Sequence, residues 1–144
     1  MSKQKTVKVG IIGGGLMGRE LLALVGRWDA LLDHPARPVI TAIADTSDAV
    51  REFFTNAGVS ESYSDYKELL ASPNVDVVYI AVPHNLHEEI YIAAINAGKD
   101  FLGEKPFGID LAAAEKIEAA LVGKKNFVRV SSELPFFPGA QAAI

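Results

Sequence analysis

From Val7 to Val130 the chain alternates short β-branched runs with segments of helical apolar spacing, and few folds satisfy that alternation. Strands joined by helical crossovers lie parallel, because each crossover returns the chain to the same end of the sheet. The strand-like runs are Val7–Ile12, Val39–Ala44, Val59–Tyr63, Val75–Val82, Asp100–Gly103 and Phe127–Val130. The fourth is the strongest, since a nearly continuous β-branched run belongs in the middle of a sheet covered on both faces. Between the runs, Met17, Leu21, Leu24, Val25 and Trp28 recur at helical spacing. Ser47 or Asp48 caps a helix ending near Asn56-Ala57-Gly58, and Asp65 and Glu68 have capping-box spacing. Leu86, Ile90, Ala93, Ala94 and Ala97 line a helix that ends at Gly98, and Asp110 caps one carrying Leu111, Ala114, Ile117 and Leu121. Asp29–Pro38, with two prolines, reads as a loop. The expected fold is α/β, a doubly wound parallel sheet of about six strands in the order 3-2-1-4-5-6. Residues 1–130 form one domain in this reading, and residues 131–144 begin a crossover into another.

The first strand runs directly into Gly13-Gly14-Gly15-Leu16-Met17-Gly18. Gly13, Gly15 and Gly18 match G-x-G-x-x-G at a strand-to-helix turn, where the spacing has a mechanical reason. The first glycine permits the tight turn, the second lacks the Cβ that would obstruct a pyrophosphate, and the third lets the helix approach the strand. The main-chain N–H groups of Leu16 and Met17 fall in the first helical turn and are candidate pyrophosphate donors. Glycine clusters also make ordinary turns; the strand before this one and the amphipathic helix after it favour phosphate binding.

Asp45 follows the second strand, the position from which a carboxylate accepts hydrogen bonds from the ribose hydroxyls of a dinucleotide. An aspartate here also suits a turn or a helix cap. The same carboxylate would disfavour a 2′-phosphate. At about 4 Å, with an effective dielectric near 20, the opposition is about 4 kcal/mol. Solvent exposure reduces it to about 1–2 kcal/mol, or roughly ten- to thirtyfold in affinity. Arg51, Thr46 and Ser47 are near enough in sequence to soften it, so the reading is a preference for NAD without exclusion of NADP.

Composition narrows the function classes. The net charge of −4 gives no overall field for nucleic acid or anionic lipid, and Lys124-Lys125 is only a pair. Without cysteine there are no disulfides, thiolate metal sites or Cys nucleophiles. His84 and His87 have no ligand-spaced companions, so no metal site is expected. The most apolar stretch, Val75–Pro83, contains Asp76 and is too short to span a bilayer. The start, Met1-Ser2-Lys3-Gln4-Lys5, has no apolar signal region. These features lead us to expect a cytoplasmic domain with neither nucleic-acid nor membrane partners.

Two later strand ends carry unusual sequences, Ala81-Val82-Pro83-His84-Asn85-Leu86-His87 and Gly103-Glu104-Lys105-Pro106, the second preceded by Ala97-Gly98-Lys99. Taken in order with the glycine loop, they resemble the Rossmann domain of the glucose–fructose oxidoreductase / inositol dehydrogenase (Gfo/Idh/MocA) family, from about Val7 to the end of the chain. The resemblance implies an NAD(P)-dependent oxidoreductase acting on a sugar, inositol or related polyol. By the same resemblance Ala81, Val82, Pro83, His84 and His87 lie along the cofactor, and Glu104 and Lys105 sit near the nicotinamide and substrate. Lys105 would orient the reacting hydroxyl and assist proton transfer. Read alone, His87 serves equally as a helix-start residue satisfied by local bonds, and Glu104-Lys105-Pro106 as a solvated loop.

The family continues into a second domain that supplies substrate contacts and usually a homo-oligomer interface. Phe136-Phe137-Pro138 reads as the crossover into it, with Ser132 and Glu133 near the nicotinamide end. Leu134-Pro135 departs from the basic or aromatic pair that family members often carry there. Two readings stay open: the cofactor-binding half of a dehydrogenase, inactive by itself, and a non-catalytic NAD-sensing or scaffold module. An S-adenosylmethionine methyltransferase shares the glycine loop and the acid but has no use for Glu104-Lys105-Pro106.

Overall fold

Ile11 and Ile12 are adjacent in sequence and buried in different cores, and that split organises the molecule. Side chains alternate across a strand, so a strand buried on both faces feeds two apolar layers at once. In the computed structural model, which describes residues 5–31, 34–132 and 138–142, six parallel strands form one sheet. They are β1 (Lys5–Ile12), β2 (Ala36–Ala44), β3 (Glu61–Tyr63), β4 (Val77–Ile80), β5 (Asp100–Glu104) and β6 (Val128–Ser131), in the order β3-β2-β1-β4-β5-β6. The expected strand order is the observed one.

One layer joins Ile11, Ile43, Tyr79 and Phe54 to α1 (Leu16–Gly26) and α2 (Asp48–Asn56). The other joins Ile12, Val78, Ile80 and Phe101 to α3 (Tyr66–Ala71), α4 (His87–Asn96) and α5 (Leu111–Leu121). A short helix α6 (Pro138–Gln141) follows β6. The chain winds outward from β1 in both directions, so the loops after β1 and β4 diverge and leave a crevice at their carboxyl ends.

Ser47 caps α2 through its hydroxyl, resolving the choice left open with Asp48, while Asp65 and Asp110 cap α3 and α5 as expected. β2 starts at Ala36, inside the expected Asp29–Pro38 loop. Pro38 is tolerated there because β3 reaches only Ala42–Ala44, leaving β2 an edge on that side at Pro38, where no N–H is called for. β4 is shorter than its apolar run: Asp76 N–H already bonds Lys8 O at 2.9 Å, and Ala81–Val82 turn into the crevice. On α1 the packed residues are Leu21, Leu22 and Val25, and Met17 and Leu24 are exposed. On α4 the buried face is His87, Ile90, Tyr91, Ala94 and Ile95, which leaves Leu86 at the surface.

Lys99 also has a structural task. Its Nζ donates to Ser72 O at 2.9 Å and to Val75 O at 2.6 Å, fixing the turn between α3 and β4. Bonds from a charged donor to carbonyls at the end of a helix are among the stronger kinds. Lys99→Met keeps the stem and removes both, so it is expected to lower stability by about 1–2 kcal/mol in urea denaturation. An unchanged midpoint would show that solvent serves those carbonyls equally well.

Candidate cofactor cleft

β1 delivers the glycine loop to the centre of the crevice. Gly13 has φ +92°, and a Cβ there would sit 2.3 Å from Ala81 O, so both backbone sign and space require glycine. A Cβ at Gly18 would lie 2.4 Å from Gly13 O, which is how closely α1 backs onto the turn. At Gly15 a Cβ would meet no protein atom within 4 Å, because this residue borders the open cleft. Gly14 occupies an unspecified position of the motif, yet a Cβ there would collide with Val50 and Phe54 of α2. The intrahelical bonds of α1 begin with Arg19 N–H to Gly15 O. The N–H groups of Leu16, Met17 and Gly18 precede that bond and have no intrahelical acceptor. The Leu16 side chain points to solvent, 74% exposed, leaving its amide as the functional part.

Asp45 closes the loop from the β2 side. Its Oδ2 accepts from Gly14 N–H at 2.9 Å and its Oδ1 from Ser47 N–H at 2.9 Å. Each carboxylate oxygen has a further lone pair, so these bonds orient the group and leave acceptor capacity for ribose hydroxyls. Arg51 donates from Nη1 to Asp45 O at 2.5 Å and from Nη2 to the Asp48 carboxylate. The guanidinium is thus engaged behind the turn.

The cleft has a volume of about 550 Å³ and gathers Gly13, Gly15 and Asp45 with Ala81, Val82 and Pro83. That size suits a nucleotide moiety. Three wall residues carried no signal in the sequence, Ser64, Tyr66 and Glu89, and they stand beside Thr46, which adjoins Asp45. Tyr66 donates to Glu89 Oε1 at 2.6 Å, joining α3 to α4 across the cleft. Burial, and then the Glu89 carboxylate, push the Tyr66 hydroxyl up to about 12, so it stays a donor at neutral pH. A second hollow, between α1 and the sheet, is lined by Val9, Leu21, Val25, Trp28, Tyr79 and Leu102. Its walls, mostly apolar with Arg27 among them, contain neither the glycine loop nor Asp45.

The remaining expected residues are placed unevenly. His84 is exposed on the turn before α4, and Lys105 is exposed after β5. Neither lines the cleft itself, and nor does Glu104. Glu104 is buried, with Oε1 accepting from Tyr79 O–H at 2.5 Å and its carbonyl from Tyr91 O–H at 2.6 Å. Burial, reinforced by the Glu104 carboxylate, raises both hydroxyls above the usual tyrosine range. His87 lies apart from the cleft lining: its side chain is fully buried, with ring nitrogens facing Pro106 O at 2.7 Å and Val82 O at 3.1 Å. Ser132 is half-buried beyond β6; Glu133, Leu134-Pro135 and Phe136-Phe137 lie outside the described residues. Among the described residues no cluster of His, Asp or Glu could hold a metal, and no helix is long and apolar enough to cross a membrane.

A parallel sheet in this order, a glycine loop at its switch point and a carboxylate at the end of β2 define a dinucleotide-binding Rossmann domain. The chain belongs to the Gfo/Idh/MocA oxidoreductase family, whose model, described as an oxidoreductase family with an NAD-binding Rossmann fold, matches residues 7–132. It is 37% identical over 107 residues to D-xylose 1-dehydrogenase (NADP(+)) of Hypocrea jecorina, an alignment covering 71% of this chain and 27% of that protein. An NAD-binding oxidoreductase from Klebsiella pneumoniae superposes with a TM-score of 0.85 at 32% identity, covering 96% of this chain and 37% of the other. Levoglucosan dehydrogenase in complex with NADH gives 0.80 at 30% identity, covering 92% and 36%. The chain therefore spans 27–37% of the length of these relatives. It is an NAD-binding oxidoreductase domain.

Proposed function

We propose that this chain is the cofactor-binding part of a longer NAD-preferring dehydrogenase whose substrate is a sugar or related polyol. One observation carries the reading: the Asp45 carboxylate is bonded to Gly14 N–H inside the cleft that Gly13 and Gly15 border. Phosphate loop and ribose acceptor are thereby held as one unit. The cleft fits a dinucleotide, since the space in front of Gly15 is free of protein atoms and three first-turn amides lack intrahelical acceptors.

When bound, the nicotinamide supplies the hydride donor or acceptor for a secondary alcohol carbon. The chain's residues do the rest. Amides of Leu16, Met17 and Gly18 hold the pyrophosphate, and Asp45 accepts the adenosine ribose hydroxyls. Val82, Pro83 and Tyr66 form the walls against which the adenosine half packs. Lys105, exposed at the carboxyl end of β5, orients the substrate hydroxyl and takes part in moving its proton. The relatives bear on the substrate class, since one is named for D-xylose and another for levoglucosan.

Calorimetric titration of the chain with NADH and with NADPH tests the reading. NADH is expected to bind roughly ten- to thirtyfold more tightly, because Asp45 faces the position of a 2′-phosphate while Arg51 is engaged by Asp48. Equal or tighter NADPH binding would mean that Arg51 leaves Asp48 for the phosphate, and would overturn the preference. A folded chain that binds neither would overturn the functional reading.

A further inference from the structure

We infer that His87 is a positioning residue whose ring clamps the loop after β4 to the loop after β5, so that the cleft wall and Lys105 are held as one piece. Nδ1 lies 2.7 Å from Pro106 O and Nε2 lies 3.1 Å from Val82 O. Val82 is in the cleft wall, and Pro106 directly follows Lys105. One ring at the start of α4 therefore reaches the main chain at two strand ends. The ring has no exposure to solvent and stacks on Tyr91 at 4.8 Å, so water cannot readily replace either contact.

The chemistry of the two contacts is specific. Carbonyl oxygens only accept, so a ring nitrogen that carries its proton bonds the loop it faces, while the other side of the ring packs against the second loop. The titratable groups around it come from three places. They are Tyr91 on α4, His84 edge-on at 5.4 Å from the preceding turn, and Glu104 with Lys105 at the end of β5. Glu104 belongs to the same assembly, since its carbonyl accepts from the Tyr91 hydroxyl that lies under Gly103. The clamp thus spans Val82, His87, Tyr91, Glu104 and Pro106 without itself touching the cleft.

The link to Lys105 rests on the proposed function; the ring chemistry does not. The first measurement is the nitrogen-15 spectrum of the labelled chain without cofactor, with the three histidines assigned through couplings to their own backbones. A proton on Nδ1 of His87, which faces the nearer carbonyl of Pro106, is expected, and a bare, pyridine-type Nδ1 would overturn the clamp. The second uses His87→Phe, which keeps an aromatic ring against Tyr91 and removes both ring nitrogens. It is expected to displace the Lys105 and Phe107 amide resonances and to weaken NADH binding about tenfold. His87→Gln, with one donating group, should fall between the two. Unmoved amides together with unchanged NADH affinity in His87→Phe would overturn the inference. A wild-type chain showing the Nδ1 proton but no NADH binding would sink the proposed function and leave the clamp standing.

Discussion

Gly13→Ala is expected to remove about 3 kcal/mol or more of folding stability and to abolish NADH binding. Two separate penalties combine. At φ +92° an L-residue is strained by roughly 1–2 kcal/mol. The new Cβ would also be 2.3 Å from the carbonyl oxygen of Ala81, a backbone atom that cannot rotate aside as a side chain would. Relieving that contact means parting β1 from β4 at their carboxyl ends, where Ala81 N–H bonds Ile12 O at 2.8 Å, and straining the bond from Gly13 N–H to Ala44 O of β2 at 2.9 Å. Overpacking of this kind typically costs about 1–3 kcal/mol, a large fraction of a domain's usual margin.

Gly15→Ala is the matching control. Its φ of −65° suits any residue and its Cβ would meet no protein atom, so stability should change by less than about 0.5 kcal/mol while NADH binding falls. Urea denaturation and calorimetry on both variants separate the two roles of glycine in one loop. If Gly15→Ala bound NADH normally, the space in front of it would not be the phosphate site. If Gly13→Ala were as stable as the parent chain, the close crossing of β1 and β4 would not be a constraint.

What the sequence revealed, and what it hid, follows from how local each feature is. The strand order was legible because every strand has its own apolar run and the glycine loop marks the first. Asp45 was legible because its position depends only on where β2 ends. By contrast, Pro38 suggested a loop, and only the shortness of β3, a property of a different strand, lets β2 run through it. The exposed Met17 and Leu24 show the limit of periodicity: several apolar residues fit a helical stripe, and the sheet beneath selects Leu21, Leu22 and Val25.

The polar pairs were invisible for a stronger reason. Tyr79 and Glu104 are 25 positions apart, and Tyr66 and Glu89 are 23 apart, so neither pair has a spacing signal. Parallel pairing of β4 with β5 creates the first, and packing of α3 beside α4 creates the second. His87 was noticed through its motif, which does not distinguish the cleft from the interior. A histidine at the first turn of a helix can face a ligand or the interior, and burial decided for the interior. Nothing in the local sequence states that two carbonyls from two different strand ends meet there.

Lys105→Ala, made in the longer parent protein, is expected to lower kcat by about 10²–10⁴-fold, the usual yield of a positioned proton-transfer group. The same substitution in this chain should leave NADH binding nearly unchanged, because Lys105 is exposed and lies outside the cleft that holds Gly13, Gly15 and Asp45. That separation distinguishes a reacting group from a binding one. Interactions made only as the hydroxyl gives up its proton change kcat, and uniform binding contacts change KM. Lys105→Arg keeps a cation but replaces a compact ammonium with a planar fork, so it should recover charge-dependent substrate binding and little of the lost rate. Parallel kcat and KM measurements on the two variants, with calorimetry on the chain, give three independent readouts. Undiminished turnover in Lys105→Ala would remove Lys105 from the reaction and favour a domain that binds NAD without acting on a substrate. A loss confined to KM would make Lys105 a substrate-anchoring residue and move the proton-transfer role to a group outside this chain.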